Sequence, residues 1–296
     1  MARFSAVICC QNARDTLPAA CASVAWCDEL VIVDSGSTDG TAEWAKQRAD
    51  VFRHEPWRGY DRQKAFANTL ASHAWVVMLD ADEACTPELA RELRGLSDAE
   101  LAGLDVLHVR RRNYLLGRPV RAWDPDWQSR VVHRERVRHA EEALHDARLP
   151  SSPERQRRLR GRILHKRASG AGFADYFGGE RLDKRLPLVA LQMYERGRRA
   201  RWWDLALRPW LTVMKLLLLK GGWRDGTFGL LVAQKTAVTT QLKYAALWAI
   251  EHDESSLRRA RALGAPQAAG AADRRDAEAA DPRDAASSQS QVERNA

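Results

Sequence analysis

Cysteine is sparse and unpatterned. Cys9, Cys10, Cys21, Cys27 and Cys85 form an odd set with neither zinc-ligand spacing nor a disulfide framework, and the first two sit in an apolar run that reads as a buried strand. A reducing, cytoplasmic setting is expected. Long hydrophobic runs are also missing: no segment reaches the ~18 uninterrupted apolar residues of a spanning helix. The nearest, WLTVMKLLLLKGGW (210–223), is broken by Lys215 and Lys220 and ended by glycines, so it suits lying on a bilayer better than crossing one. Met1 leads straight into a strand-like stretch, so no secretory leader is expected. There is no complete G-x-G-x-x-G, which leaves a dinucleotide fingerprint unsupported. From Ser255 onward aromatic residues disappear, and residues 255–296 read as a disordered tail with little to bury.

Cations are in excess, 47 Lys and Arg against 39 Asp and Glu, for a net charge of +8. That balance favours phosphate-rich partners such as nucleic acid, anionic lipid or a nucleotide diphosphate, without choosing among them. With 296 residues the chain can bury a full core. Its first 110 residues alternate strand-like and helix-like segments. FSAVICC (4–10), ELVIVDS (29–35), VFRH (51–54), WVVMLDA (75–81) and DVLHVRR (105–111) read as strands, and helices are expected near 14–25, 39–49, 60–73 and 86–96. The alternation predicts an α/β fold with a mainly parallel sheet covered on both faces. Ligands bind such sheets at the carboxyl ends of the strands.

Three polar stretches fall at those ends: Gln11–Asn12, Asp34 to Thr41, and Asp80 to Glu83. The middle one, DSGSTDGT, supplies small residues that let backbone amides approach a ligand ahead of a helix. Residues 113–167 look irregular, and ERQRRLRGRILHKR (154–167) reads either as a solvated hairpin or loop, or as a patch facing phosphate or lipid. Residues 171–250 read as helical, with tryptophans beside Arg and Lys, as in an interfacial region or in a helical cap on the sheet. Arginine interleaved with Trp and Leu, and no nucleic-acid motif, argue against a nucleic-acid partner.

WVVMLDADEACTPEL (75–89) concentrates the chemistry. Thr86, Pro87 and Glu88 have the form of a helix start, and Glu83 is covered by that structural reading. Asp80 and Asp82, two apart at the end of a buried strand, share a face and suit a hard divalent cation that also meets substrate phosphates.

VIVDSGSTDGT followed about forty residues later by WVVMLDADE resembles the nucleotide-sugar domain of the inverting family-two glycosyltransferases, which have the GT-A fold. PWRGYDRQKAFAN, LDADEACTPEL, RRNYLLGRPV, DPDWQSRVVHR, EALHD and KGGWRDGTFGLLVA more closely resemble bacterial lipopolysaccharide core glycosyltransferases that add glucose to the inner core. The likeness spans roughly residues 3–250. It implies a GT-A-like catalytic domain over 1–170, with a nucleotide-sugar half (1–112) and an acceptor half (113–170), then a helical membrane-associating region over 171–254.

On that resemblance Asn12, Asp34 and Asp39 serve the nucleoside, and Gln63 and Lys64 face the donor. Asp80 meets ribose and metal, Asp82 meets metal, and Arg130 binds acceptor or diphosphate. The general base falls at Asp146 in His145–Asp146, where the family has Glu, with Glu141 and Glu142 as rivals. The family's Lys-Asn-Glu is Gln11-Asn12-Ala13 here, so one nucleotide contact is lost. Trp123, Asp124, Asp126 and Trp127 could stack against sugar. The implied reaction is metal-dependent (Mg2+ or Mn2+) inverting transfer of a hexose, glucose from UDP-glucose, to a lipid-linked saccharide at the cytoplasmic face of the inner membrane. Other acceptors (polyprenyl phosphate, a protein, a capsule precursor) and a non-catalytic basic membrane- or nucleic-acid-binding protein are the alternatives.

Overall fold

The structure, a computed structural model, describes residues 2–139, 148–166 and 185–264. Residues 1–265 form one compact unit. Its centre is a nine-stranded sheet built from β1 (Phe4–Cys10), β2 (Glu29–Asp34), β3 (Val51–His54), β4 (Trp75–Asp80), β5 (Glu83–Cys85), β6 (Val106–Leu115), β7 (Arg118–Pro119), β8 (Asp126–His133) and a long final strand, Gln156–His165. The order is β3-β2-β1-β4-β8-β6, then Gln156–His165, then β5, with β7 alongside β6.

The expected parallel half is present. β3, β2, β1 and β4 pair in parallel, and the apolar runs of β2, β1 and β4 are buried on both faces because helices cover both, while β3 at the edge is only partly covered. Beyond β4 the sheet becomes mixed, since β8 runs antiparallel to both β4 and β6. Two apolar layers result. Phe4, Ile8, Ile32, Leu79, Leu89 and Leu107 belong to one side, and Val7, Val31, Val33, Met78 and Val132 to the other. Alternate residues of one strand serve opposite layers, as the period of two requires.

Four helices fall where the pattern placed them: α1 (Leu17–Ser23), α2 (Thr41–Lys46), α3 (Tyr60–Thr69) and α4 (Pro87–Arg94). The start of α4 follows the sequence signal. Thr86 Oγ1 accepts the Leu89 amide at 3.3 Å and Pro87 occupies the first turn, where a missing N–H leaves no bond unmade.

The basic run 154–167 is neither hairpin nor loop: Gln156–His165 is a sheet strand, parallel to β6. Leu159, Gly161 and Ile163 point inward while Arg158, Arg160 and Arg162 point outward, an alternation that the density of arginine masks. Gly161 is required by proximity, because a Cβ there would lie 2.3 Å from Leu89 Cα of α4.

The helical region contains the helices Leu186–Glu195, Trp202–Ala206, Arg208–Met214 and the 26-residue Thr227–His252. Ala190, Leu191, Tyr244, Leu247 and Ile250 form its own core. Phe228 and Val232 pack on Leu115 and Val120 at the sheet edge, and Trp123 contributes to that junction. A final helix, Glu254–Gly264, overturns the expectation of disorder over its length: Asp253 caps its start by accepting the Ser255 and Ser256 amides, and Ala260 is buried against the preceding helices. Helix-capping chemistry in DESS outweighs the poor apolar content there. Among the described residues no helix is long and apolar enough to cross a membrane.

Candidate active site

The carboxyl ends of β2, β1 and β4 bring Asp34 and Asp80 to one edge, because Cys10 pairs with Asp34 and its neighbour Cys9 pairs with Asp80. α3 spans the gap between them. Gln63 Nε2 donates to Ser35 Oγ at 3.1 Å, and Lys64 Nζ sits 2.5 Å from Asp80 Oδ1. The Gln-Lys pair thus ties both strand ends together.

The 34–41 loop is held by its own acids. Asp34, buried, accepts the amides of Gly36 and Ser37 at 2.9 and 3.0 Å. Burial alone would raise its carboxyl; the bonds from Ser37 and Gly36 outweigh that and hold it below the usual carboxylate range. Asp39 accepts the Arg14 and Thr41 amides at 3.1 and 3.0 Å, and Asn12 Oδ1 accepts the Thr38 amide at 2.8 Å. Asn12 adopts φ 48°, a left-handed conformation that its short polar side chain stabilises by this bond. Asn12, Asp34 and Asp39 therefore shape one loop.

Asp80 begins a chain of charged contacts that crosses the sheet. Besides Lys64, its Oδ2 accepts Arg130 Nη2 at 2.5 Å, and the same Nη2 donates to Glu83 Oε1 at 2.6 Å. Burial by itself would raise the Asp80 carboxyl; the Arg130 guanidinium and the Lys64 ammonium hold it well below the usual carboxylate range. Glu83 also receives Arg111 Nη1 at 3.2 Å and accepts the Asp80 amide at 3.1 Å. Arg111 Nε continues to Asp126 Oδ2 at 2.9 Å, Asn113 Nδ2 donates to that same oxygen at 2.7 Å, and Asn113 Oδ1 faces His165 Nδ1 at 2.8 Å. The chain ends at Asp82, whose Oδ2 lies 3.1 Å from His165 Nε2.

That last contact has a chemical consequence. Asn113 uses its amide group on Asp126, so its oxygen faces His165 Nδ1 and the Nε2 side of the ring is turned to Asp82. A ring nitrogen and a carboxylate oxygen 3.1 Å apart either share a proton or hold a cation between them. Asp82 and His165 are partly exposed, so a cation can reach them. Hard oxygen plus imidazole, with the far ring nitrogen braced by Asn113, fits Mn2+ better than Mg2+, which would be held through the Asp82 oxygens and water. Among the described residues no cluster of three His, Cys, Asp or Glu could hold a metal by itself, so other ligands would have to come from substrate and water.

Sequence reasoning missed four members of this chain, Arg111 and Asn113 on β6 and the two that follow. Glu83 reads as a helix-end charge but is wholly buried between Arg130 and Arg111. His165 hides in the basic run, and the signal for it was the strand alternation that ends beside Asp82, where the Lys166 amide donates to Asp82 O at 3.0 Å. Trp123 is occupied by packing, and Trp127 lies under Arg158 at 5.0 Å. Asp124 pairs with Arg110, and Asp126 belongs to the charged chain. Asp146, His145, Glu141 and Glu142 lie outside the described residues.

The mixed α/β sheet with helices on its faces is GT-A-like, and sequence comparison agrees. The profile of Glycosyl transferase family 2 matches residues 5–157, and the chain belongs to that family. It is similar to LpsC of Rhizobium meliloti (strain 1021), a lipopolysaccharide core biosynthesis glycosyltransferase, at 33% identity over 262 residues covering 83% of this chain and 92% of LpsC. A glycosyltransferase of Rickettsia felis shares 38% identity over 94 residues, 31% of this chain and 33% of that protein. Among solved structures, S. aureus TarS 1-349 in complex with UDP-GlcNAc aligns over 88% of each chain at 14% identity and a TM-score of 0.42.

Proposed function

We propose that this glycosyltransferase moves a hexose, glucose from UDP-glucose, onto an inner-core sugar of a lipid-linked saccharide with inversion, at the cytoplasmic face of the inner membrane. The observation that carries the reading is Asp80 clamped by Lys64 and Arg130 beside the Asp82–His165 pair. Asn12 and the loop held by Asp34 and Asp39 would cradle the nucleoside with backbone amides. Lys64 and Arg130 would face the diphosphate, their positions fixed in advance by Asp80 and Glu83, so no reorganisation is needed as charge develops. Asp82 and His165 would hold Mg2+ or Mn2+, which when bound stabilises negative charge on the departing diphosphate. Inversion needs one base on the acceptor side to take the hydroxyl proton as oxygen attacks the anomeric carbon; Asp146 is assigned that role.

Full-length protein is tested by thermal shift against a panel of nucleotide sugars with and without Mn2+, since a ligand that binds only the native state raises its midpoint. A Mn2+-dependent shift with UDP-glucose, followed by glucosylation of a truncated core saccharide, is expected. An Asp146→Asn protein that transfers at the native rate removes the assignment of the base, and no shift with any nucleotide sugar removes the donor site.

A further inference from the structure

The helical region leaves one face bare. Of fifteen exposed large apolar side chains among the described residues, nine fall within 202–223, including Trp210 at 73% and Leu219 at 83% exposure. A soluble surface rarely gathers so much apolar area without a partner. The exposure follows helix geometry: Leu207, Leu211, Met214 and Leu218 recur at i, i+4, i+7 and i+11 on one side. Val213, Leu216 and Leu217 on the other side pack against Ala122, Trp123 and Ala233. The bare face is thus the outer one of a segment already anchored.

Its charge identifies the occupant. Residues 201–224 contain Arg201, Arg208, Lys215, Lys220 and Arg224 but a single acid, Asp204. Asp204 has no exposed surface: it accepts the Arg201 amide and pairs with Arg198 and Arg208. Asp225, the next residue, has a side chain 12% exposed and paired with Arg121, so the surface of 201–224 offers apolar bodies and cations with no unpaired carboxylate among the described residues. Near its two ends an indole is paired with a guanidinium, Arg201 over Trp203 at 5.1 Å and Arg224 over Trp223 at 5.3 Å. A second copy would set like charges against like with no acid to offset them.

We propose that residues 201–224 dock on a bilayer surface that carries anionic lipid. The outer Trp, Leu and Met side chains enter the boundary between headgroups and acyl chains, while Lys215, Lys220 and the arginines meet lipid phosphates. The segment lies flat, anchored from beneath by Leu216, and the sheet domain is held at a fixed height above the lipid. The inference deepens the membrane location proposed above and rests on that reading; its test uses no sugar transfer.

Full-length protein is sedimented with vesicles of phosphatidylcholine alone and of phosphatidylcholine mixed with phosphatidylglycerol. Binding to the mixed vesicles, at least tenfold tighter than to neutral ones, weakened by salt and accompanied by a blue shift of tryptophan emission, is expected. Trp210→Ser with Leu219→Ser, both exposed, should weaken it about tenfold or more, because each removes an apolar side chain from the bilayer. Lys215→Gln and Lys220→Gln should each cost roughly fivefold. Mixed-vesicle binding unchanged by the Ser pair, absence of binding to anionic vesicles, or a concentration-dependent dimer abolished by Trp210→Ser would each overturn the proposal. The UDP-glucose thermal shift separates the two readings: vesicle binding without a shift sinks the donor site alone, and a shift without vesicle binding sinks the docking face alone.

Discussion

Replacing Glu83 by Gln is the sharpest test of the charged chain. Among the described residues three cations (Lys64, Arg130, Arg111) are interleaved with three carboxylates (Asp80, Glu83, Asp126). Glu83 has no exposed side-chain surface and Arg130 has 2%. Gln keeps the shape but removes one charge from the middle, taking the Glu83 carboxylate away from the buried Arg130 guanidinium and leaving the Asp80 amide with a weaker acceptor. Breaking a buried pair from one side costs roughly 3–5 kcal/mol, and retained amide hydrogen bonds put this case at about 3 kcal/mol. For a domain of this size that lowers the unfolding midpoint by ~6–12 °C, within the ~5–15 kcal/mol of a native fold.

The assay is thermal and urea unfolding of Glu83→Gln beside Glu88→Gln, whose side chain is 66% exposed and only 3.6 Å from Arg91. Glu88→Gln should leave the midpoint where it is. In the folded Glu83→Gln protein the UDP-glucose shift should shrink as well, because Arg130 and the Asp80 backbone lose the group that fixes them. A Glu83→Gln protein within ~0.5 kcal/mol of the parent would refute the argument, since that is the size of effect at an ordinary surface position.

Asp82→Asn should abolish the Mn2+-dependent part of the nucleotide-sugar shift, and Asn113→Ala should weaken Mn2+ about 10–100-fold by releasing the His165 ring; unchanged Mn2+ titrations in both would exclude the Asp82–His165 site. Gly161→Ala should destabilise by ~1–3 kcal/mol in urea unfolding, because the added carbon meets Leu89 backbone and α4 has to move. Stability should fall in two stages on acidification. Burial and the Arg136 charge lower the His133 value in the fold, so below about 6.5 the unfolded chain takes up the proton first and stability declines. Asp34, Asp80 and Asp126 are lowered as well, so their contribution is present above about 3.8 and is lost as pH falls through their folded values. Midpoints followed from pH 8 to 3 check both, and His133→Phe should remove only the first stage.

The parallel half of the sheet was legible because its strands are short apolar runs separated by amphipathic helices, and Thr86–Pro87 fixed the start of α4 from chemistry alone. β8 could not be placed from sequence: DWQSRVVH gives no sign that it inserts antiparallel between β4 and β6. The final strand was lost to its own arginines. The roles of Asp80 and Asp82 were readable only as a pair, and what divides them is supplied from far along the chain: Arg130 comes from β8, 50 residues beyond Asp80, and His165 lies 83 residues beyond Asp82. Spacing within a motif carries no information about such partners.

That division decides what the edge attracts. Asp80 is already matched by Lys64 and Arg130, so it is a poor first landing point for a metal cation, which would have to displace an ammonium or a guanidinium from contacts of 2.5 Å. Among the described residues the charged or ring partner beside Asp82 is the His165 imidazole, whose other nitrogen is committed to Asn113. The edge therefore sets Asp80, whose charge is matched by Lys64 and Arg130, beside Asp82, which shares its carboxylate oxygen only with the His165 ring among the described residues. On the proposed function a donor diphosphate would lie at this edge beside Lys64 and share the cation that Asp82 and His165 would hold, while Arg130 keeps Asp80 in place from beneath. A single phosphate or an uncharged sugar would satisfy only part of the arrangement, which supports the donor site proposed above.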